Sequence, residues 1–297
     1  MKQFAYKLIV FFAIMVALDQ ATGAMMDRIY AGTVKGDYGR NNYIATGVHA
    51  DCLIFGSSRA IHHYDPDRIG RALGMSCYNC GEDGMGIITM YGRFREITAR
   101  YTPKVVIYDV VHDFDINEGD NSKYIGFLRF HQDCTGVSNI INQVDATERY
   151  KSLSRSYKYN SRFLDIASQR LSHDPSVAAD FRYAPEHGEI SYVVKDYVSS
   201  QKSHSVDSLK MACLERMIDD CQAQGIRFVV VISPFFHARD YVIYKPVLDL
   251  CENKNVLVLN HFTDCTFVDN PQLFCDQYHL NEKGVSLFDS VVCFELN

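Results

Sequence analysis

Short apolar runs, each followed by a turn and then a helix-length stretch, recur along most of this chain and leave it few folds. The runs are Asp51–Phe55 (DCLIF, closed by Gly56), Ser76–Cys80, Lys104–Val111 (KVVIYDVV), Ile226–Ile232 and Val256–Asn260. Their length and the glycine after the first argue for buried strands rather than helices. Between them, residues 64–74, 87–101, 206–224, 239–252 and 282–290 read as helices, with stops at Gly74, before Pro103 and at Gly225. Five strands alternating with helices specify an α/β fold: a five-stranded parallel sheet wrapped on both faces. In such sheets the reactive groups gather just beyond the C-terminal ends of the strands.

The 297 residues suit one large domain or two small ones, and 47% hydrophobic content excludes wholesale disorder. A net charge of −6 offers no basic face, so no nucleic-acid partner is expected. Residues 117–205 break the rhythm. They are polar and Tyr-rich, with turn signals at Asp174-Pro175 and Ala184-Pro185, and read as a mainly helical insertion within a domain spanning 50–297. Ten cysteines include a single C-x-x-C, Cys77 and Cys80, which itself reads as strand. Buried free thiols are expected, or one or two disulfides outside the cytosol, and a zinc ribbon is not.

The N-terminus is distinct. Lys2 and Lys7 precede an uninterrupted apolar run, Leu8–Leu18, and small residues follow at Ala21–Ala24. Residues 1–24 therefore read as a signal peptide or an N-terminal membrane anchor, with membrane association through residues 4–18 and 25–49 as a linker. The remainder is then exported and faces the periplasm or cell envelope.

Two groups could carry chemistry. Gly56-Ser57-Ser58-Arg59 follows the first strand, where a strand-to-helix turn holds a hydroxyl out of the sheet beside first-turn amides. Asp276-Gln277-Tyr278-His279 follows the last strand, and its three-residue offset lets a carboxylate orient an imidazole whose other nitrogen faces a nucleophile. A serine is a weak nucleophile until such a base takes its proton. The paired histidines His62 and His63, near Asp65 and Asp67, point in different directions on a helix and are not expected to hold a metal.

These blocks resemble the SGNH (GDSL-type) hydrolase superfamily, in an exported branch whose first block reads Gly-Ser-Ser-Arg. The resemblance covers about residues 50–116 and 226–290. It implies a three-layer α/β/α sandwich on a flavodoxin-like sheet, with Ser58 as nucleophile, His279 as base and Asp276 orienting it. It also implies an oxyanion hole built from the amides of Ser58 and Gly84, the latter within Asn79-Cys80-Gly81-Glu82-Asp83-Gly84. The family's third block ends in Gly-x-Asn-Asp, whereas this chain reads Asp109-Val110-Val111-His112-Asp113, leaving His112 as the substitute donor. Arg59 either binds substrate or pairs with a nearby carboxylate. The implied activity is that of a serine esterase or acyltransferase on a small acyl ester or an acylated cell-envelope glycan, with no cofactor and no metal. The alternative is an inactive SGNH-like envelope protein that assists glycan modification or assembly.

Overall fold

A computed structural model describes residues 1–171, 183–201 and 205–296. Five strands form one parallel sheet: β1 (Cys52–Gly56), β2 (Cys77–Asn79), β3 (Val105–Asp109), β4 (Arg227–Ile232) and β5 (Leu257–Asn260), in the order β2-β1-β3-β4-β5. This is the expected α/β architecture, with each strand within a few residues of its expected run. The order reverses at β1, which pairs with β2 on one side and β3 on the other. That switch point opens a crevice beyond the C-terminal ends of β1 and β3. Their register sets Gly56 opposite Asp109.

Every residue of β1 and β3 is buried, as strands covered on both faces require. On one face Cys52, Ile54, Val105, Ile107, Val229, Val231 and Leu259 pack with Phe288 and Val292 of helix Glu282–Leu296. On the other, Phe55 meets Phe94 of helix Ile87–Thr98 edge-on at 6.4 Å. The helix expected over 64–74 is present as Pro66–Leu73, and a further short helix, Ser58–His63, precedes it. The break falls where Asp65 caps the second helix, accepting from the amides of Asp67 and Arg68 ahead of Pro66. All ten cysteines are free thiols, seven of them buried.

The chain divides into two compact units. The sheet unit comprises Val48–Gly126 and Arg182–Asn297, and the helical unit comprises Met1–Gly47 and Phe127–Phe181. The stretch 117–205 is thus not one insertion, because its middle joins the N-terminal residues. Its elements among the described residues are helical, as expected, while residues 183–198 run irregularly over the sheet unit, with single bridges from Glu186 to Asn281 and from Tyr197 to Ala238. The turn expected at Asp174-Pro175 lies outside the described residues.

The stretch 25–49 is not a linker. One helix runs from Lys2 to Ala31 and another from Gly36 to Thr46. Met26, Tyr30 and Tyr38 join Phe130, Tyr159 and Ile166 in the core of the helical unit. Polarity misleads here because the polar groups are partnered internally; buried Asn41 donates to the Tyr30 hydroxyl at 2.9 Å.

Gly56 shows how closely β1 and β3 approach at the crevice. Its φ is +144°, and an added Cβ would lie 2.6 Å from the Asp109 carbonyl oxygen. Gly56→Ala should therefore cost about 2 kcal/mol or more and lower the melting temperature of the sheet unit by several degrees in a thermal melt.

Candidate active site

The sheet brings β1 to a sharp end. Gly56 turns the chain, Ser57 is buried completely, and Ser58 begins the next helix partly open to solvent. Of the two adjacent serines, only Ser58 is accessible to a ligand. At the far end of the sequence, the Asp276 carboxylate accepts from the amides of Tyr278 and His279 at 2.6 and 2.7 Å, folding residues 276–279 into a tight turn. That turn sets His279 Nδ1 2.9 Å from Asp276 Oδ2 and His279 Nε2 2.9 Å from Ser58 Oγ. With Asp276 accepting from Nδ1–H, Nε2 is left to accept from the serine hydroxyl.

Burial pushes the Asp276 carboxyl up, but the hydrogen bond and charge of His279 and the two turn amides outweigh it. The net shift is below the ordinary carboxylate value, so Asp276 stays ionised beside the imidazole. A carboxylate, an imidazole and a hydroxyl linked in this order can deprotonate the hydroxyl as it attacks an electrophilic carbon.

Two histidines in the helix after Ser58 flank this arrangement. His62 Nδ1 meets the Ala184 carbonyl at 2.6 Å and Nε2 meets Asp83 Oδ1 at 3.2 Å, with its ring centroid 5.4 Å from that of His279. Burial lowers the His62 pKa, yet the Asp83 and Ala184 bonds more than offset it and the net shift is upward. The Asp83 contact also ties the loop bearing Gly84 to the helix bearing Ser58. Gly84 adopts φ +67°, and an added Cβ there would meet nothing within 4 Å, so the loop is open on that side.

His63 is buried and turns the other way. Its Nε2 accepts from the Leu280 amide at 3.0 Å, and Leu280 directly follows His279. That bond requires Nε2 to be unprotonated. Burial, then the neighbouring His279 and Arg59, hold its pKa well below the usual histidine range. Sequence reasoning missed this role, although the placement of His63 one helical turn from Arg59 and Ser58 was available as a signal.

Two expected site residues are placed otherwise. Arg59 is not open to substrate: it is 1% exposed, sits 5.5 and 5.8 Å from the ring centroids of Phe235 and Phe262, and its Nη1 reaches the Ser233 carbonyl at 3.5 Å. Its surroundings are two aromatic rings and a backbone carbonyl rather than solvent. Asp109, its nearby carboxylate, accepts from the hydroxyls of Tyr64 and Ser233. Burial pushes Asp109 up to about 6, against the opposing pull of Arg59. His112 is not free to donate toward Ser58, because Nε2 meets the Tyr197 hydroxyl at 3.0 Å and Nδ1 the Tyr244 hydroxyl at 3.3 Å. Sequence reasoning also missed Asn79, which ends β2. Its side chain donates to the Ala60 carbonyl at 2.6 Å and accepts from the Gly81 amide at 3.0 Å, bracing the loop against the Ser58 helix.

No family profile matches the chain, and no curated protein matches it in sequence. Among solved structures it is similar to an acetyl xylan esterase, at 13% identity over 83% of this chain and 100% of that one, with a TM-score of 0.42. It is also similar to a G-D-S-L family protein from Desulfitobacterium hafniense DCB-2, at 10% identity over 82% of this chain and 98% of that one, with a TM-score of 0.38. Likeness at this level says nothing of activity.

His63 makes the fold sensitive to acid. The unfolded chain takes up a proton near pH 6.5 that folded His63 refuses, so its contribution is present above that pH and is lost as the pH falls. His63→Asn keeps an acceptor for the Leu280 amide but does not titrate. Thermal melts between about pH 7.5 and pH 5 should show the wild type losing stability relative to H63N as the pH drops. Parallel curves would exclude His63 as the source.

Proposed function

We propose that this protein is a serine-dependent esterase or acyltransferase of SGNH type, acting on ester-linked acyl groups. The observation that carries the reading is the unbroken hydrogen-bond chain from the Ser58 hydroxyl through His279 to Asp276, at 2.9 Å on either side of the imidazole.

In the first half-reaction Ser58 Oγ attacks the ester carbonyl carbon while His279 Nε2 takes its proton. Asp276 holds the imidazole in the required tautomer and stabilises the imidazolium. Collapse of the tetrahedral intermediate breaks the ester C–O bond, and the leaving alcohol receives the proton from His279. In the second half, water or an acceptor hydroxyl attacks the acyl group, with His279 again moving the proton, and Ser58 is restored. Water gives hydrolysis and a sugar hydroxyl gives transfer.

The oxyanion falls to backbone amides, those of Ser58 and Gly84. Ser58 opens a helix, so its amide has no partner within that helix. With His112 held by two tyrosines and no asparagine at the third-block position after β3, one side-chain donor is missing. Such a loss slows a hydrolase by about 10²–10³. The surroundings bear on substrate class. Asp83, Glu186 and Asp276 place carboxylates around His62 and His279, which suits a neutral ester better than an anionic one. A short acyl group on a cell-envelope glycan fits that preference and an exported protein.

Ser58→Ala should abolish turnover of a short-chain acyl ester, and Asp276→Asn should lower kcat by up to about 10⁴ while leaving the fold intact. A fluorophosphonate probe should label wild type and spare S58A, read by intact mass. A folded wild-type protein that neither labels nor turns over ester would instead support the non-catalytic envelope role.

A further inference from the structure

We infer that helix Lys2–Ala31 is retained in the finished protein as a single-pass membrane anchor, its first half inserted in a lipid bilayer and its second half built into the helical unit. The two halves of this one helix meet opposite environments. From Lys2 to Leu18 every residue is exposed, including Leu8, Phe11, Phe12, Ile14, Val16 and Leu18. Among the described residues this is the one helix long and apolar enough to cross a membrane.

From Asp19 onward the helix is part of the fold. The Asp19 carboxylate accepts from the Ser154 hydroxyl at 2.7 Å, the Arg155 amide at 2.9 Å and the Ser156 hydroxyl at 2.5 Å. Two turns on, Asp27 accepts from Arg155 at 2.7 Å, Lys158 at 2.9 Å and the Tyr159 hydroxyl at 2.5 Å. Between them Gly23 packs so tightly that an added Cβ would lie 2.4 Å from Arg155 Cγ. Met26 is fully buried and Tyr30 nearly so.

A removable leader has no reason to carry these contacts. Cleavage among Ala21–Ala24 would take away Asp19, leave the hydroxyls of Ser154 and Ser156 without their acceptor, and reduce the core helix to about two turns. The segment that resembles a cleavage site is instead the seam between the two halves.

The occupant of the exposed half follows from its length and charge. Lys2–Leu18 is seventeen residues, or about 25 Å of helix, at the short end of what crosses a hydrocarbon core. Lys2 and Lys7 lie at the outer end, where their stems reach the headgroups and let a short helix span.

The test is to express the full chain in a bacterium, isolate membranes and measure the intact mass and N-terminal peptides of the recovered protein. Peptides from before Asp19 should be present, and the protein should stay in the pellet through an alkaline carbonate wash. Phe11→Arg with Ile14→Arg, both at exposed positions, should shift most of it to the wash. A mature chain beginning between positions 22 and 25 overturns the inference. So does release of the wild type by carbonate, whether as a monomer or as a pair of copies joined through this helix. These outcomes do not touch the esterase reading, which is tested on Ser58.

Discussion

One hydrogen bond, from Ser58 to His279, joins positions 221 residues apart in the chain, and the geometry of the site depends on how both ends are held. One end is fixed by the sheet. β1 is buried on both faces and stops where Gly56 meets Asp109, so the first residues of the following helix have little freedom. The other end is a turn clamped from both sides. Before it, Phe274 bridges to Leu280; after it, Asn281 accepts from the amides of Lys283 and Gly284 to start the last helix, while its side-chain amide donates to the Gly188 and Gln272 carbonyls. His63 crosses between the two ends, from the Ser58 helix to the Leu280 amide. Side chains held in this way need little rearrangement to act together.

Beneath the site lies a buried polar network. Asp109, Tyr64, Ser233 and Arg59 are all inaccessible to solvent, and each finds partners among the others. Burying such groups is costly unless they are paired, and a paired network fixes one arrangement of the strand ends. The consequence is that Arg59 and His112, which look reactive as residue types, are committed to holding β3, β4 and the aromatic cluster around Phe235.

The two units divide the labour of the chain differently from its linear order. Residues that in linear order separate the N-terminal segment from the sheet unit contribute to the core of the helical unit, together with residues from the middle of the chain. Asp19 and Asp27 organise that core by gathering donors from residues 154–159. The helical unit is thereby bound up with the same helix whose first half is bare.

The chain's own pattern determined the sheet, because runs of β-branched and apolar residues of strand length have one stable burial, and glycine and proline mark where each run ends. It also pointed to Ser58, Asp276 and His279, since reactive groups in parallel sheets follow strand ends and local spacing sets an Asp-x-x-His turn. Tertiary structure alone decided the rest. Whether Arg59 faces solvent or rings, whether His112 is free, that His63 holds an amide, and that residues 25–46 are core helices all depend on partners dozens to hundreds of residues away. The physical reason is the same in each case: periodicity and propensity act over one element, whereas the fate of a polar side chain is set by which groups the fold brings within about 3 Å of it.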